Sequence, residues 1–532
     1  MKKIFTFLSI ALVLASCASI EKHNLQVTKL HSVQDLHDDI DNVYKQLQRH
    51  HPRLYQFTTK ETLDFKFDSL KKAITSPMDS RLFYKQLAAV TKYVGQGHMS
   101  VSPPSKRFKR KERKALQKTK FDVNNLDFEY LDDTLFISNA RGKDSVLINA
   151  EVLKINNEKS QNLIKKYKKI IASDGYNTTF HQRVAGKRIM GYYVRDNGRF
   201  DSITFTLRNA DSTFIQHYKR QPKKEVSKGS DSTKTDSIKV LKPKRKLTKL
   251  EKKEKRLKAK KLKKDRQKYG YNSLTQENTR HLSFVGKDSA VAMLRIKGFT
   301  RGDYKPFYEE VFTTLDTLKT KTLIIDLRDN FGGRLNEIMD LYSYLTDEKF
   351  TLINLSETNS RIPVMKASMA NSTSFGGKLL LGIISPVVLT HNLLKTRKKE
   401  GKIYYKFKAA KAQEPKPLNF KGKIYVIING NSFSASSILS TQLKGSKRAT
   451  IVGEETGGAY NGTVAGLYKI YVLPNTKISA RIGLMHIDSK YKVEPDGYGV
   501  KPDIEIIPTY QDRLDKTDPE LEWILEDNKK QN

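Results

Sequence analysis

The sequence predicts an α/β protein, and two observations in its second half carry that expectation. Residues Thr322–Leu327, Ile424–Ile428 and Thr450–Val452 are near-continuous apolar runs, too apolar for a sheet with one wet face. Between them, Tyr304–Leu318, Glu337–Leu345 and Ala435–Leu443 carry apolar residues at the three-to-four spacing of helices. Strands buried on both faces and alternating with helices imply a sheet covered by helices, with Ala290–Ile296 as a further strand.

The chain has 532 residues, enough for several domains and a sizeable core without disulfides or structural metals. Its single cysteine, Cys17, excludes a disulfide framework and any Cys-based zinc site or cluster. Hydrophobic residues at 38%, spread along the chain, exclude global disorder and a polytopic membrane protein. The excess of 98 basic over 57 acidic residues gives a net charge of +41, which suggests an anionic partner. That charge is local, however: residues 219–268 hold 23 Lys/Arg against 6 Asp/Glu.

The first residues set the compartment. Met1-Lys2-Lys3 is followed by an apolar stretch of eleven residues, Ile4–Leu14, too short to span a bilayer and laid out like a secretory signal. The run ends Leu14-Ala15-Ser16-Cys17, which resembles the lipobox of bacterial lipoproteins. The resemblance implies a signal peptide over 1–17, acylation of Cys17, and an exported protein tethered to a membrane of the cell envelope.

Residues 30–105 read as a helical domain, with amphipathic stretches from Asp35 to Leu47 and from Leu63 to Ile74 and prolines at 52 and 77 between helices. Residues 119–215 read as a small mixed domain. Its strand candidates are Tyr130-Leu131, Thr134–Ile137, Val152–Ile155 and Ile203–Leu207, with a helix near Gln161–Ile171. The basic run 219–268 is low-complexity, and Leu247–Lys268 can form only a solvated helix without a docking face. It reads as a flexible insertion, or as a contact to anionic lipid or lipopolysaccharide; nucleic acid is disfavoured by the export signal. The α/β region spans 283–510, and 511–532 reads as a C-terminal helix.

The chemistry concentrates at strand ends. Strand Ile424–Ile428 runs into Asn429-Gly430-Asn431-Ser432-Phe433-Ser434-Ala435-Ser436-Ser437, where a helix begins. A serine at such a junction lies near helix amides that can stabilise an oxyanion, although serines there also serve as plain helix caps. Strand Thr322–Leu327 ends in Asp329-Asn330-Phe331-Gly332-Gly333, whose glycines allow close backbone approach. The third strand leads into Gly453-Glu454-Glu455-Thr456-Gly457-Gly458.

In this order the three motifs resemble the S41 serine peptidases, the tail-specific or C-terminal-processing proteases and their tricorn-like relatives, over about 283–510. The resemblance implies a ClpP/crotonase-like core, hydrolysis of protein or peptide substrates in the envelope, and no cofactor or metal. It implies Ser434 as nucleophile and the amides of Gly333 and Ala435 as oxyanion donors. The family's Ser–Lys branch needs a lysine where this chain has Ala459, and Ser69-Leu70-Lys71-Lys72 lies in the wrong region to replace it. The Ser–His branch fits better: Gly95-Gln96-Gly97-His98 resembles the family's helical-segment ending and implies His98 as base. The closing segment Glu494-Pro495-Asp496-Gly497-Tyr498-Gly499-Val500-Lys501-Pro502-Asp503 offers Glu494, or Asp496, as the orienting acid. By the same analogy the mixed domain stands in the place of a PDZ-like module that holds substrate C-termini, although it lacks a clear carboxylate loop. The alternative is an inactive lipoprotein on this fold that binds peptides or envelope polymers.

Overall fold

The computed structural model describes residues 20–210, 212–223, 248–286 and 288–531. The signal segment with Cys17, and residues 224–247 of the basic run, lie outside the described residues.

A six-stranded sheet forms the centre of the C-terminal half. Its strand order is Arg280–Val285, Val291–Ile296, Thr322–Asp326, Lys423–Ile428, Thr450–Gly453 and Ile504–Glu505. The first pair is antiparallel and all later pairs are parallel. Every residue of Thr322–Asp326 is buried, as its apolar run requires. Alternation of side chains then divides the strands between two layers. Leu323, Ile325, Ile424 and Val426 face helices Lys305–Thr317, Leu335–Ser343 and Ala435–Gly445 through Val311, Leu315, Ile338, Leu341 and Leu439. Ile324, Tyr425, Ile427 and Val452 face the C-terminal helix Pro519–Gln531 through Ile524. The chain after 510 thus forms two helices, Tyr510–Asp515 and Pro519–Gln531, and the second is a structural layer of the sheet.

The long hairpin Gly462–Val472/Ser479–Asp488 leaves this core and meets the N-terminal helices Val33–His50, Lys60–Ala73 and Ser80–Thr91. Ser32, Thr59 and Asp79 cap the three helices with side-chain oxygens. Hairpin residues Leu473, Ile478, Ala480 and Ile482 share a core with Leu36, Ile40 and Leu87. Buried Asp39 accepts the amides of Asn475 (3.1 Å) and Thr476 (2.8 Å) and so fixes the hairpin tip.

The mixed region is a sheet of Leu126–Leu131, Thr134–Ala140, Glu151–Ile155, Ser202–Asn209 and Ser212–Lys219, with Glu158–Lys159 beside the third strand. Helix Ser160–Lys168 lies where the spacing predicts one. Helices Thr179–Lys187 and Ile189–Asn197 are additional. Its core takes in Phe433 from the C-terminal half, and Phe331 packs against it.

Helix Lys249–Lys268 buries none of its residues. Its last turn is held to the body: the Gln267 carbonyl accepts Asp303 N–H at 2.8 Å, and the Arg266 carbonyl accepts Tyr271 N–H at 2.8 Å. Closing a loop costs only about 0.6 kcal/mol per doubling of its length, so a long excursion here is tolerable. Replacing residues 224–262 by a short Gly/Ser linker should therefore leave the melting temperature within a few degrees. A large drop in calorimetry would show that the segment supports the fold.

Candidate active site

Four serines lie between positions 432 and 437, and their surroundings differ. Ser432 is buried; its hydroxyl donates to the Leu327 carbonyl (2.8 Å) and accepts Asn429 N–H (3.0 Å). Ser437 is buried and donates to the Ser432 carbonyl at 2.9 Å. The Ser436 hydroxyl is buried with no partner. Ser434 alone is half-buried. It stands at φ 61°, ψ −122° as the N-cap of helix Ala435–Gly445, and its side chain makes no capping bond. Positive φ in a non-glycine residue is backbone strain of order 1–3 kcal/mol and has to be held by the surroundings.

The glycine motifs hold it. Gly332, at φ 85°, leaves no room for a Cβ, which would lie 2.6 Å from the Ala435 nitrogen and 2.8 Å from the Ser434 Cβ. A Cβ on Gly458 would lie 3.0 Å from the Ser434 nitrogen. The Gly332 N–H is taken by Asn330 Oδ1 at 2.9 Å. The amides of Gly333 and Ala435 donate to no acceptor among the described residues. Unbonded amides at a helix N-terminus beside a serine can receive a developing oxyanion.

His98 is buried, its ring 4.7 Å from Phe433 and 5.7 Å from Tyr468 between centroids. Its Nδ1 is hydrogen-bonded to the Tyr468 hydroxyl at 3.2 Å, and its Nε2 has no partner. Burial first, then the Arg481 guanidinium, push its pKa down to about 3, so the imidazole is neutral at ordinary pH. Arg481 also lies 3.5 Å above the Tyr468 ring. His98 thus touches the residue preceding Ser434; among the described residues no hydrogen bond joins it to Ser434 itself.

The two acids suggested by the sequence differ in placement. Glu494 is exposed, and no hydrogen bond ties it to His98. Asp496 accepts Gln56 Nε2 at 2.9 Å, and Gln56 Oε1 accepts Gln96 Nε2 at 3.2 Å, two residues before His98. Asp496 therefore reaches the histidine turn through two glutamines, and the Nδ1 position expected for a carboxylate is held by Tyr468.

A third acid, Asp174, escaped the sequence reading. It is fully buried and accepts the Gly97 amide (2.7 Å), the Thr463 hydroxyl (3.1 Å) and the Ala459 amide (3.3 Å). It thereby joins the turn of His98 to the position where the dyad lysine is missing. Burial pushes its pKa up to about 6, against the lowering effect of those donors. The only local sign was an Asp-Gly pair, which reads as a turn. Glu454 of Gly-Glu-x-Thr is a strut: it accepts the buried Arg183 Nε at 2.7 Å and the Gly430 amide at 3.0 Å.

Beside the histidine turn lies a cleft of about 330 Å³ lined by Gly97, Met99, Arg188, Arg195 and Arg481. No carboxylate pairs with these three arginines among the described residues, so the cleft is suited to an anionic group. No group of three or more His, Cys, Asp or Glu side chains among the described residues is arranged to hold a metal.

A strained serine between a buried parallel strand and a helix, with unbonded amides beside it, is the arrangement of a serine hydrolase. Residues 290–506 match peptidase family S41, and the chain carries a serine peptidase domain of that family. Residues 1–18 match the prokaryotic membrane lipoprotein lipid attachment site, so the protein is exported and lipid-anchored in the cell envelope. No curated protein matches the chain. Among solved structures, a CPAF mutant is similar at 16% identity, with TM-score 0.56 over 91% of this chain and 94% of the other. Mature CPAF complexed with lactacystin follows at 15% identity, TM-score 0.54, with 91% and 95% covered. At these identities the likeness is one of fold.

Asp174 gives this site a pH signature. In the unfolded chain the carboxyl takes up its proton near 3.8, in the folded chain near 6. Its contribution to stability is full below the lower value and is lost as pH rises through about 6. The melting temperature of the wild type relative to Asp174→Asn should therefore be several degrees more favourable at pH 4.5 than at pH 7.5, and a pH-independent difference would contradict this protonation.

Proposed function

We propose that the protein is a serine endopeptidase of the cell envelope that cleaves peptide bonds in envelope proteins or peptides. Ser434 Oγ attacks the scissile carbonyl, and His98 Nε2 accepts the proton and later returns it to the leaving amine. The Gly333 and Ala435 amides hold the tetrahedral oxyanion. Tyr468 fixes the imidazole through Nδ1, Asp496 braces the histidine turn through Gln56 and Gln96, and ionised Asp174 favours the imidazolium that forms in the transition state. The arginine cleft beside His98 supports substrates with an acidic side chain or a free terminal carboxylate near the cut, held between the catalytic half and the mixed domain.

The observation that carries this reading is the contrast among the four serines: Ser434 is the one with strained backbone, solvent access and no structural hydrogen bond. The absence, among the described residues, of a hydrogen bond between His98 and Ser434 favours the second reading, a peptide-binding lipoprotein without turnover.

Hydrolysis separates the two. Ser434→Ala should abolish peptide cleavage, while Ser432→Ala and Ser437→Ala retain turnover at reduced stability. His98→Ala should lower kcat by about 10³–10⁶, as removal of a triad base does. A panel of unstructured peptides with free and amidated C-termini supplies the assay. Equal rates for wild type and Ser434→Ala, or none for either, would exclude the peptidase mechanism.

A further inference from the structure

Helix Phe375–Lys395 is an apolar helix turned inside out. Its inward stripe is Gly377, Leu381, Ser385, Val388 and Asn392, all at least partly covered. Its outward stripe is Leu379, Leu380, Ile383, Ile384, Val387 and Leu394; Ile383, Val387 and Leu394 are 72–73% exposed. A contiguous face of this kind on an exported protein is a docking surface, not a scatter of surface residues.

We propose that this face lies in the surface of the bilayer to which Cys17 is anchored, giving the protein a second, oriented attachment to the membrane. The two attachments emerge at the same end of the molecule. In helical residues 20–28, which follow the anchor, Gln26 Nε2 donates to the Asn475 carbonyl at 2.7 Å, at the tip of the long hairpin. Just before the apolar helix, Asn371 exchanges hydrogen bonds with the backbone of Val472 (2.7 and 2.8 Å), and Ser372 donates to the Ile470 carbonyl at 2.8 Å. Gln26 lies nine positions after Cys17, so the acylated end stays within about 30 Å of that tip. Leu25, Leu30 and Ile470 extend the exposed apolar surface at this end, and exposed Lys22, Lys29, Lys378, Arg397 and Lys398 match anionic headgroups.

The helix lies in the interface and does not cross it. Its length and composition would suffice to span a membrane. Both ends, however, are tied to the body of the protein. Asn371 and Ser372 hold the start, and at the far end buried Asn392 accepts the Val364 amide at 2.9 Å while Thr396 enters a strand paired with Lys402–Tyr405. Its polar groups are also satisfied from within, as a low-dielectric medium demands. Pro386 has no N–H to give the Gly382 carbonyl, and Ser385 Oγ donates to that carbonyl instead at 2.7 Å. Thr390 and Asn392 donate to the Pro386 and Val388 carbonyls.

The lone cysteine makes the test direct. With Cys17 acylated, Ile383→Cys or Val387→Cys carries the only thiol for an environment-sensitive fluorophore, and Glu309→Cys on an exposed helix face serves as control. The full-length lipoprotein is reconstituted into vesicles of phosphatidylethanolamine and phosphatidylglycerol, with or without a nitroxide on the acyl chain near the headgroup. The probe at 383 or 387 should shift to the blue and lose about half or more of its emission to the nitroxide, while the probe at 309 does neither. Emission at both helix positions matching that at 309 would overturn the proposal. A blue shift that ignores the nitroxide and grows with protein density would also overturn it, showing that a second copy covers the face.

Discussion

The structure turns on a two-residue constraint, Phe433-Ser434. Ser434 is held at positive φ, a strain of order 1–3 kcal/mol, and full burial of a phenylalanine side chain contributes about the same in the opposite sense. Phe433 is buried in the core of the mixed region, stacked 4.6 Å from Phe180 and tilted against His98 at 4.7 Å between ring centres. The next residue, Ala435, belongs to the core of the α/β sheet. Val94 and Met99, on either side of the histidine turn, belong to the core of the N-terminal helices. Three separate apolar cores therefore meet at this turn, and the strained serine persists because each packs against one side of it.

Polar struts cross the same junction. Arg183 of the mixed region and Glu454 of the catalytic half form a buried pair, and Glu454 also receives Gly430 N–H at the start of the serine turn. Lys187 bonds Asp329 at 2.9 Å, and Asp329 in turn receives Asn431 Nδ2 at 2.7 Å. Burial alone would push the Asp329 carboxyl up; Lys187 and the two asparagines override it and hold it well below the usual carboxylate range. Removing one partner of the buried Arg183–Glu454 pair leaves a buried charge uncompensated, so these residues support the geometry of the serine turn.

This division explains what could be read from the sequence. The parallel strands were legible because strands buried on both faces have no alternation to hide, and the helices between them because their spacing is regular. The Gly-Gly, Ser-rich and Gly-Glu-x-Thr motifs were legible because each is contiguous. Asp174, Tyr468 and Arg481 were not: they come from a loop and a hairpin far apart in sequence and acquire meaning only where they converge on Gly97-His98. Of the two acids in the closing segment, only the fold separates Asp496, which reaches the histidine turn through Gln56, from exposed Glu494. Helices Thr179–Lys187 and Ile189–Asn197 hid behind weak periodicity. Phe375–Lys395 was invisible for a different reason: an apolar run inside a globular region reads as core, and sequence carries no sign that its greasiest face points outward.

The long hairpin links these observations into one mechanical element. Its base supplies Ala459 and Thr463 to Asp174, its middle supplies Tyr468 and Arg481 to His98, and its tip at Asn475 meets both Gln26 after the anchor and Asp39 of the first long helix. From Tyr468 to Val472 the strand covers about 13 Å at roughly 3.3 Å per residue, and the turn that carries Asn475 follows. Strand geometry therefore sets how far the histidine stands from the hairpin tip, where the segment after the anchor docks. Acylation alone would leave the active site free to swing through the length of the linker; a second contact at the hairpin tip would hold it facing the first few nanometres above the membrane. Segments of envelope proteins emerging from the bilayer pass through that layer, and the arginine cleft beside His98 opens at the same level of the hairpin, where Ile470 and Arg481 pair.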